Sequence, residues 1–131
     1  MYFKKITLML LVVFSATSCF SQSEANGLEN KSADEVMKIA DEQDVVMIDV
    51  RTPGEVSNGY LKGTDYFFNI NDAGFTDKID ALDKSKTYVM ICHSGARSVR
   101  AANYMLENGF EKVINMAGGM RSVKNGSYIT K

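Results

Sequence analysis

Three short apolar runs constrain this chain more than any other feature: Val45-Val46-Met47-Ile48, Tyr88-Val89-Met90-Ile91 and Val113-Ile114-Asn115-Met116. Each lacks the apolar/polar alternation of a strand with one wet face, so each reads as a strand covered on both sides. A sheet of that kind needs helices above and below it, and the sequence offers them. Ser32 followed by Glu35 is a capping box, and Val36, Met37, Ile39 and Ala40 recur at helical spacing, which predicts an amphipathic helix over 33–42. Ala96 to Asn108 carries Val99, Ala102, Met105 and Leu106 on one face and closes at Gly109, a suitable residue just past a helix end. Phe75 to Leu82 reads as another short helix, Tyr66 to Ile70 as a weaker fourth strand, and Gly118-Gly119 as the start of a last turn or loop. The strand–helix–strand order from residue 88 to 116 is a βαβ unit with a right-handed crossover. The predicted class is therefore α/β: one domain built on an open, mostly parallel sheet with helices on both faces, which binds ligands at the carboxyl ends of its strands.

The first 18 residues stand apart from that fold. Lys4 and Lys5 precede a nearly all-apolar run from Ile6 to Phe14, too short for a membrane-spanning helix, and the small residues Ser15 to Ser18 follow. This is the pattern of a signal peptide over 1–18. Cys19 comes directly after Ala16-Thr17-Ser18, which resembles the lipobox of bacterial lipoproteins, although the first position is Ala and not the commoner Leu. Lipidation at Cys19 is the first expectation, and ordinary cleavage between Ala16 and Ala25 is the alternative. Both take the protein out of the cytoplasm to the cell envelope or periplasm, with a membrane link only through a lipid on Cys19. Residues 19–31 are mostly polar and read as a flexible tether, with the domain over 32–131. Setting aside Lys4 and Lys5 leaves 13 basic against 16 acidic side chains, a net charge of −3, with no basic block to follow a phosphate backbone. Nucleic acid is not an expected partner.

Cysteine usage carries the chemical information. With Cys19 lipidated or removed, Cys92 is the only thiol left in an oxidising compartment, so the usual disulfide-scaffold reading fails. Cys92 directly follows a predicted buried strand and stands one loop before a predicted helix, in Cys92-His93-Ser94-Gly95-Ala96-Arg97-Ser98. Amides of such a loop and first helical turn lack intrahelical acceptors and face whatever anion the sulfur carries. The positive helix end and the Arg97 cation should lower the thiol pKa. Gly95 suits a tightly curled backbone. His93 is the only histidine, yet it is a poor candidate for general base, since adjacent loop side chains usually diverge and no third orienting group is evident.

Three further segments give the chain a resemblance to the rhodanese family. Asp49-Val50-Arg51-Thr52-Pro53-Gly54-Glu55 resembles that family's early DVR-x-x-x-E signature, Gly59-Tyr60-Leu61-Lys62-Gly63 its GHI-x-G turn, and Gly118-Gly119-Met120 its closing GG motif. The likeness covers about residues 32–129. Tyr60 stands where the family usually has His, and Val123 near a common Trp. The resemblance implies a single-domain sulfurtransferase that moves a sulfane sulfur through a Cys92 persulfide cradled by residues 93–98. It implies a small donor, thiosulfate or a persulfide, a thiol or cyanide acceptor, a protein sulfur partner as a further candidate, and no cofactor. It also implies that Asp49 and Arg51 lie close to the active-site loop and help hold it, and that Glu55 pairs with a nearby cation. The six-residue Cys92–Arg97 loop is the sulfurtransferase form, whereas related phosphatases have one residue more.

The main rival is a non-catalytic binding or sulfur-carrier module on the same fold. Retention of Cys92, Gly95 and Arg97 together favours chemistry over docking. A thiol–disulfide oxidoreductase would want a second, resolving cysteine in the domain, and a metal site would want more soft ligands than one His and one core Cys.

Overall fold

A computed structural model of the protein describes residues 27–131. The predicted signal peptide, Cys19 and most of the predicted tether lie outside the described residues. Five parallel strands form the central sheet: β1 (Leu28–Lys31), β2 (Val45–Asp49), β4 (Tyr66–Phe67), β5 (Thr87–Ile91) and β6 (Lys112–Met116), in the order β1-β6-β5-β2-β4. A separate antiparallel pair joins β3 (Tyr60–Leu61) to β7 (Ile129–Thr130). Between the strands run α1 (Ala33–Glu42), α2 (Pro53–Val56), α3 (Phe75–Asp80) and α4 (Ala96–Glu107).

The sheet is covered on both faces, as the unalternating strands require. On one side Ile48, Tyr88, Met90 and Val113 pack with Phe75 and Ile79 of α3 and Ala101, Ala102 and Met105 of α4. On the other, Met47, Val89, Ile91, Ile114 and Met116 pack with Ala33, Val36 and Met37 of α1 and with Leu61. Each such fully buried aliphatic or Met side chain contributes about 1.5–3 kcal/mol by leaving water. The start of α1 is set locally: Ser32 Oγ accepts from the Glu35 amide at 3.3 Å, and the Ser32 amide donates to Glu35 Oε2 at 2.8 Å.

One boundary requires correction. The tether read over 19–31 runs too far, because Leu28–Lys31 is an edge strand in register with Val113–Met116. A parallel edge strand is held through its main chain, and here Leu28 alone packs on the core while Glu29 pairs with Lys112 at 3.4 Å. Four mostly polar residues therefore gave no apolar signal. The weak strand expected over 66–70 is confined to Tyr66–Phe67, and the helix expected over 75–82 ends at Asp80.

The chain order creates the site. From β5 the chain crosses through α4 to β6 on one side, while β2 leads to β4 on the other, so the order in which the strands are connected reverses between β2 and β5. The chain leaves their carboxyl ends toward opposite sides of the sheet, the position at which such folds leave a crevice. Val50 and Cys92 are the first residues beyond the two strands, tied by the Val50 amide donating to the Ile91 carbonyl at 2.9 Å.

Candidate active site

Cys92 leaves β5 into a loop that curls beneath the first turn of α4. Its residue is 0% exposed. Gly95, the residue before α4, has φ of +101°, a conformation that favours glycine, and an added Cβ would sit 3.2 Å from the Gly118 amide nitrogen. No side chain caps α4. The amides around its start instead serve the sulfur: the Gly95 N–H donates to Cys92 Sγ at 3.0 Å, and those of Ser94 and Ser98 add to the stabilisation of its anion. Burial pushes the thiol pKa up, but the Ser98 hydroxyl, 3.2 Å from Sγ, and these amides outweigh it and bring it below the ordinary value. The direction agrees with the sequence reading, while the cause is hydrogen bonding more than the Arg97 charge.

Arg97 points elsewhere. Its guanidinium donates to both Glu55 oxygens, at 2.6 and 2.9 Å, in a fork-to-fork pair that links α4 to α2. Glu55 is held in turn by a second capping box: its carboxylate accepts from the Thr52 amide and hydroxyl at 3.1 and 2.9 Å. The Arg97 pair, with help from Thr52, lowers the Glu55 pKa to about 2 despite partial burial. Asp49 and Arg51 form a second arginine–carboxylate pair, at 2.7 Å and almost wholly buried. Arg51 also donates to the Gly59 carbonyl at 2.9 Å and to the Glu55 carbonyl at 3.4 Å. These bonds fasten the 49–59 segment to itself, and none reaches residues 92–98.

The loop is held from its far side by residues that sequence reasoning saw only as a motif. The Met120 amide donates to the Cys92 carbonyl at 2.8 Å and the Arg121 amide to the His93 carbonyl at 2.9 Å. Gly119 has φ of +59°, and a Cβ there would overlap the His93 main chain and the Cys92 carbonyl oxygen. The paired glycines thus let the 3-10 turn Met120–Ser122 lie against the loop.

Above the loop is an open cleft of about 380 Å³ lined by Arg51, Glu55, Asn58, Gly59, His93, Met120, Arg121 and Ile129. His93, Ser94 and Ala96 are exposed, and Cys92 does not line the cleft. His93 therefore faces outward while the sulfur faces inward. Tyr60 is half-buried and packs edge-on against Phe67, with ring centroids 4.9 Å apart. Asn58, Arg121 and Ile129 were not singled out from the sequence, where nothing but proximity to motif residues marks them, and Met120 entered only as the last residue of the Gly118-Gly119-Met120 motif. Among the described residues, no three His, Cys, Asp or Glu side chains converge to hold a metal ion.

Residues 32–125 match the rhodanese-like domain family. The chain is 39% identical over 83 residues to YtwF of Bacillus subtilis, which carries a sulfurtransferase name; the alignment spans 63% of this chain and 77% of that protein. It is 32% identical over 85 residues to the thiosulfate sulfurtransferase GlpE of Pseudoalteromonas translucida, spanning 65% of this chain and 78% of the other. Among solved structures, a rhodanese-like domain protein from Staphylococcus aureus has a TM-score of 0.66 at 25% identity, covering 79% of this chain and 98% of that one.

Proposed function

Because this chain belongs to the rhodanese-like domain family, we propose that it is a sulfurtransferase whose nucleophile is the Cys92 thiolate. The observation that carries the reading is the pair of groups held on Cys92 Sγ, the Gly95 amide at 3.0 Å and the Ser98 hydroxyl at 3.2 Å, which favour its anion. The thiolate attacks the outer sulfur of thiosulfate; a new S–S bond forms, the donor's S–S bond breaks, and its electron pair leaves with sulfite. Cys92 is then a persulfide anion. Loop amides that accommodate the thiolate can stabilise this second anion too. Cyanide or a thiol takes the terminal sulfur and returns the Cys92 thiolate, so that no net proton or electron is needed. The sulfur must leave its Ser98 contact and turn toward the cleft to meet a donor.

A lipid-anchored or free location in the cell envelope belongs to the same reading. It rests on Lys4, Lys5, the apolar run 6–14 and the small residues before Cys19. The full burial of Cys92 favours the other reading, a non-catalytic binding or carrier module. Thiocyanate production from thiosulfate and cyanide separates the two. A sulfurtransferase shows turnover that Cys92→Ala abolishes; a rate no higher than that of Cys92→Ala, with thiosulfate or an organic persulfide as donor, identifies the module.

A further inference from the structure

The Ser98 contact with Cys92 is the first link of a hydrogen-bond chain on the inner side of the loop. Ser98 Oγ stands 3.2 Å from Cys92 Sγ, 3.0 Å from the Gly95 carbonyl oxygen and 2.6 Å from Asn115 Oδ1. A serine hydroxyl has a single proton and donates to one of these acceptors at a time. Its shortest contact is with Asn115, a polar residue 3% exposed on β6. The Asn115 Nδ2 donates to Asn30 Oδ1 at 2.9 Å. Asn30 lies on β1 opposite Asn115 in the strand register, and it is exposed. A polar chain therefore runs from the buried sulfur to the edge of the sheet.

The two protonation states of Cys92 make opposite demands on this chain. A thiol can donate its proton to Ser98 Oγ while Ser98 donates to Asn115. A thiolate needs the Ser98 proton for itself, which leaves two oxygens facing one another at 2.6 Å with no hydrogen between them. Turning the Asn115 amide over removes the conflict. Its Nδ2 then donates to Ser98 Oγ, and its Oδ1 accepts from the Asn30 amide, which can rotate because it sits at the surface. Donors and acceptors exchange along the chain, and no bond to carbon or sulfur changes.

We propose that Asn115, seated against Asn30, is a positioning residue for Cys92, its amide orientation deciding whether the Ser98 hydroxyl donates to the sulfur. This rests on Cys92 being the nucleophile. Of the charged groups near the loop, Arg97 on α4 is engaged by Glu55 of α2, Arg51 after β2 is engaged by Asp49, and His93 and Arg121 face the cleft. The neutral chain is thus the adjustable influence on the inner face of the sulfur.

The test is a thiolate titration of the full chain by ultraviolet absorbance, with Cys19→Ser to leave one thiol and no sulfur donor present. Asn115→Leu removes the competing acceptor, so the thiolate fraction at a pH below the midpoint rises by about three- to ten-fold. Asn30→Asp, at an exposed position that tolerates change, offers only acceptors, holds Asn115 Oδ1 on Ser98 and lowers the fraction. Both shifts shrink sharply when Ser98→Ala is added, whereas a simple charge or packing effect survives it. Shifts of equal size with and without Ser98, or no shift from Asn30→Asp together with none from a folded Asn115→Leu, overturn the proposal. Since no donor is used, the result is independent of whether the protein transfers sulfur.

Discussion

Two arginine–carboxylate pairs flank the cysteine loop, and water separates their roles. The Asp49–Arg51 side chains are 0% and 5% exposed, whereas those of Glu55 and Arg97 are 32% and 28% exposed. Both are close, charge-assisted contacts. The buried pair has almost wholly left water, so each partner depends on the other, and its remaining bonds go to main-chain carbonyls of its own segment. The half-exposed pair joins α2 to α4 beside the cleft that Glu55 lines and keeps access to water, which makes it cheap to break. Identical chemistry is a strut in one place and a movable clasp in the other.

The largest effect that should break this contrast is Asp49→Ala. It strands the Arg51 guanidinium in the interior, and a stability loss of about 3–5 kcal/mol is expected from urea unfolding. A loss below about 1 kcal/mol would mean that the two pairs are equivalent. Gly119→Ala comes next and touches neither pair. Its Cβ would overlap the main chain of Cys92 and His93 at a left-handed φ, so a destabilisation of about 2–3 kcal/mol is expected in the same assay, with slower sulfur loading as the loop shifts.

Glu55→Gln should have the smallest effect on stability, about 1 kcal/mol or less, because the pair is screened by solvent and Gln preserves the capping box with Thr52. Its pH dependence sharpens the comparison. The carboxyl is lowered from its ordinary 4.5 to about 2, so the pair stabilises the fold fully above pH ~4.5 and loses that contribution as pH falls through about 2. The difference between wild type and Glu55→Gln in thermal melts should be flat from pH ~5 to 8 and close toward pH ~2. A difference that instead opened above pH ~7 would contradict the assignment of this pair.

Much of this arrangement was legible because it is dictated over short range. The unalternating strands, the Ser32–Glu35 box and the Gly109 stop all act within a few residues, and α1 spans the predicted 33–42. Cys92 was legible for the same reason, as a residue between a buried strand and a helix start. The rest is set by pairing across the chain. β1 reads as tether because its partner is the main chain of β6, 85 residues away at Asn30–Asn115. Arg97 reads as a free cation beside the sulfur because Glu55, which claims it, lies 42 residues earlier. The clearest overlooked signal is Asn115 itself, a polar side chain in the middle of an apolar run that a sheet covered on both faces can bury only with a partner.

Intact mass of the purified protein before and after thiosulfate, with Cys92→Ser alongside and cyanide added last, tests the central claim most directly. A mass gain of one sulfur atom, removed by cyanide and absent from the variant, is the predicted result. An unchanged mass with both thiosulfate and an organic persulfide, or an equal gain in Cys92→Ser, would contradict it.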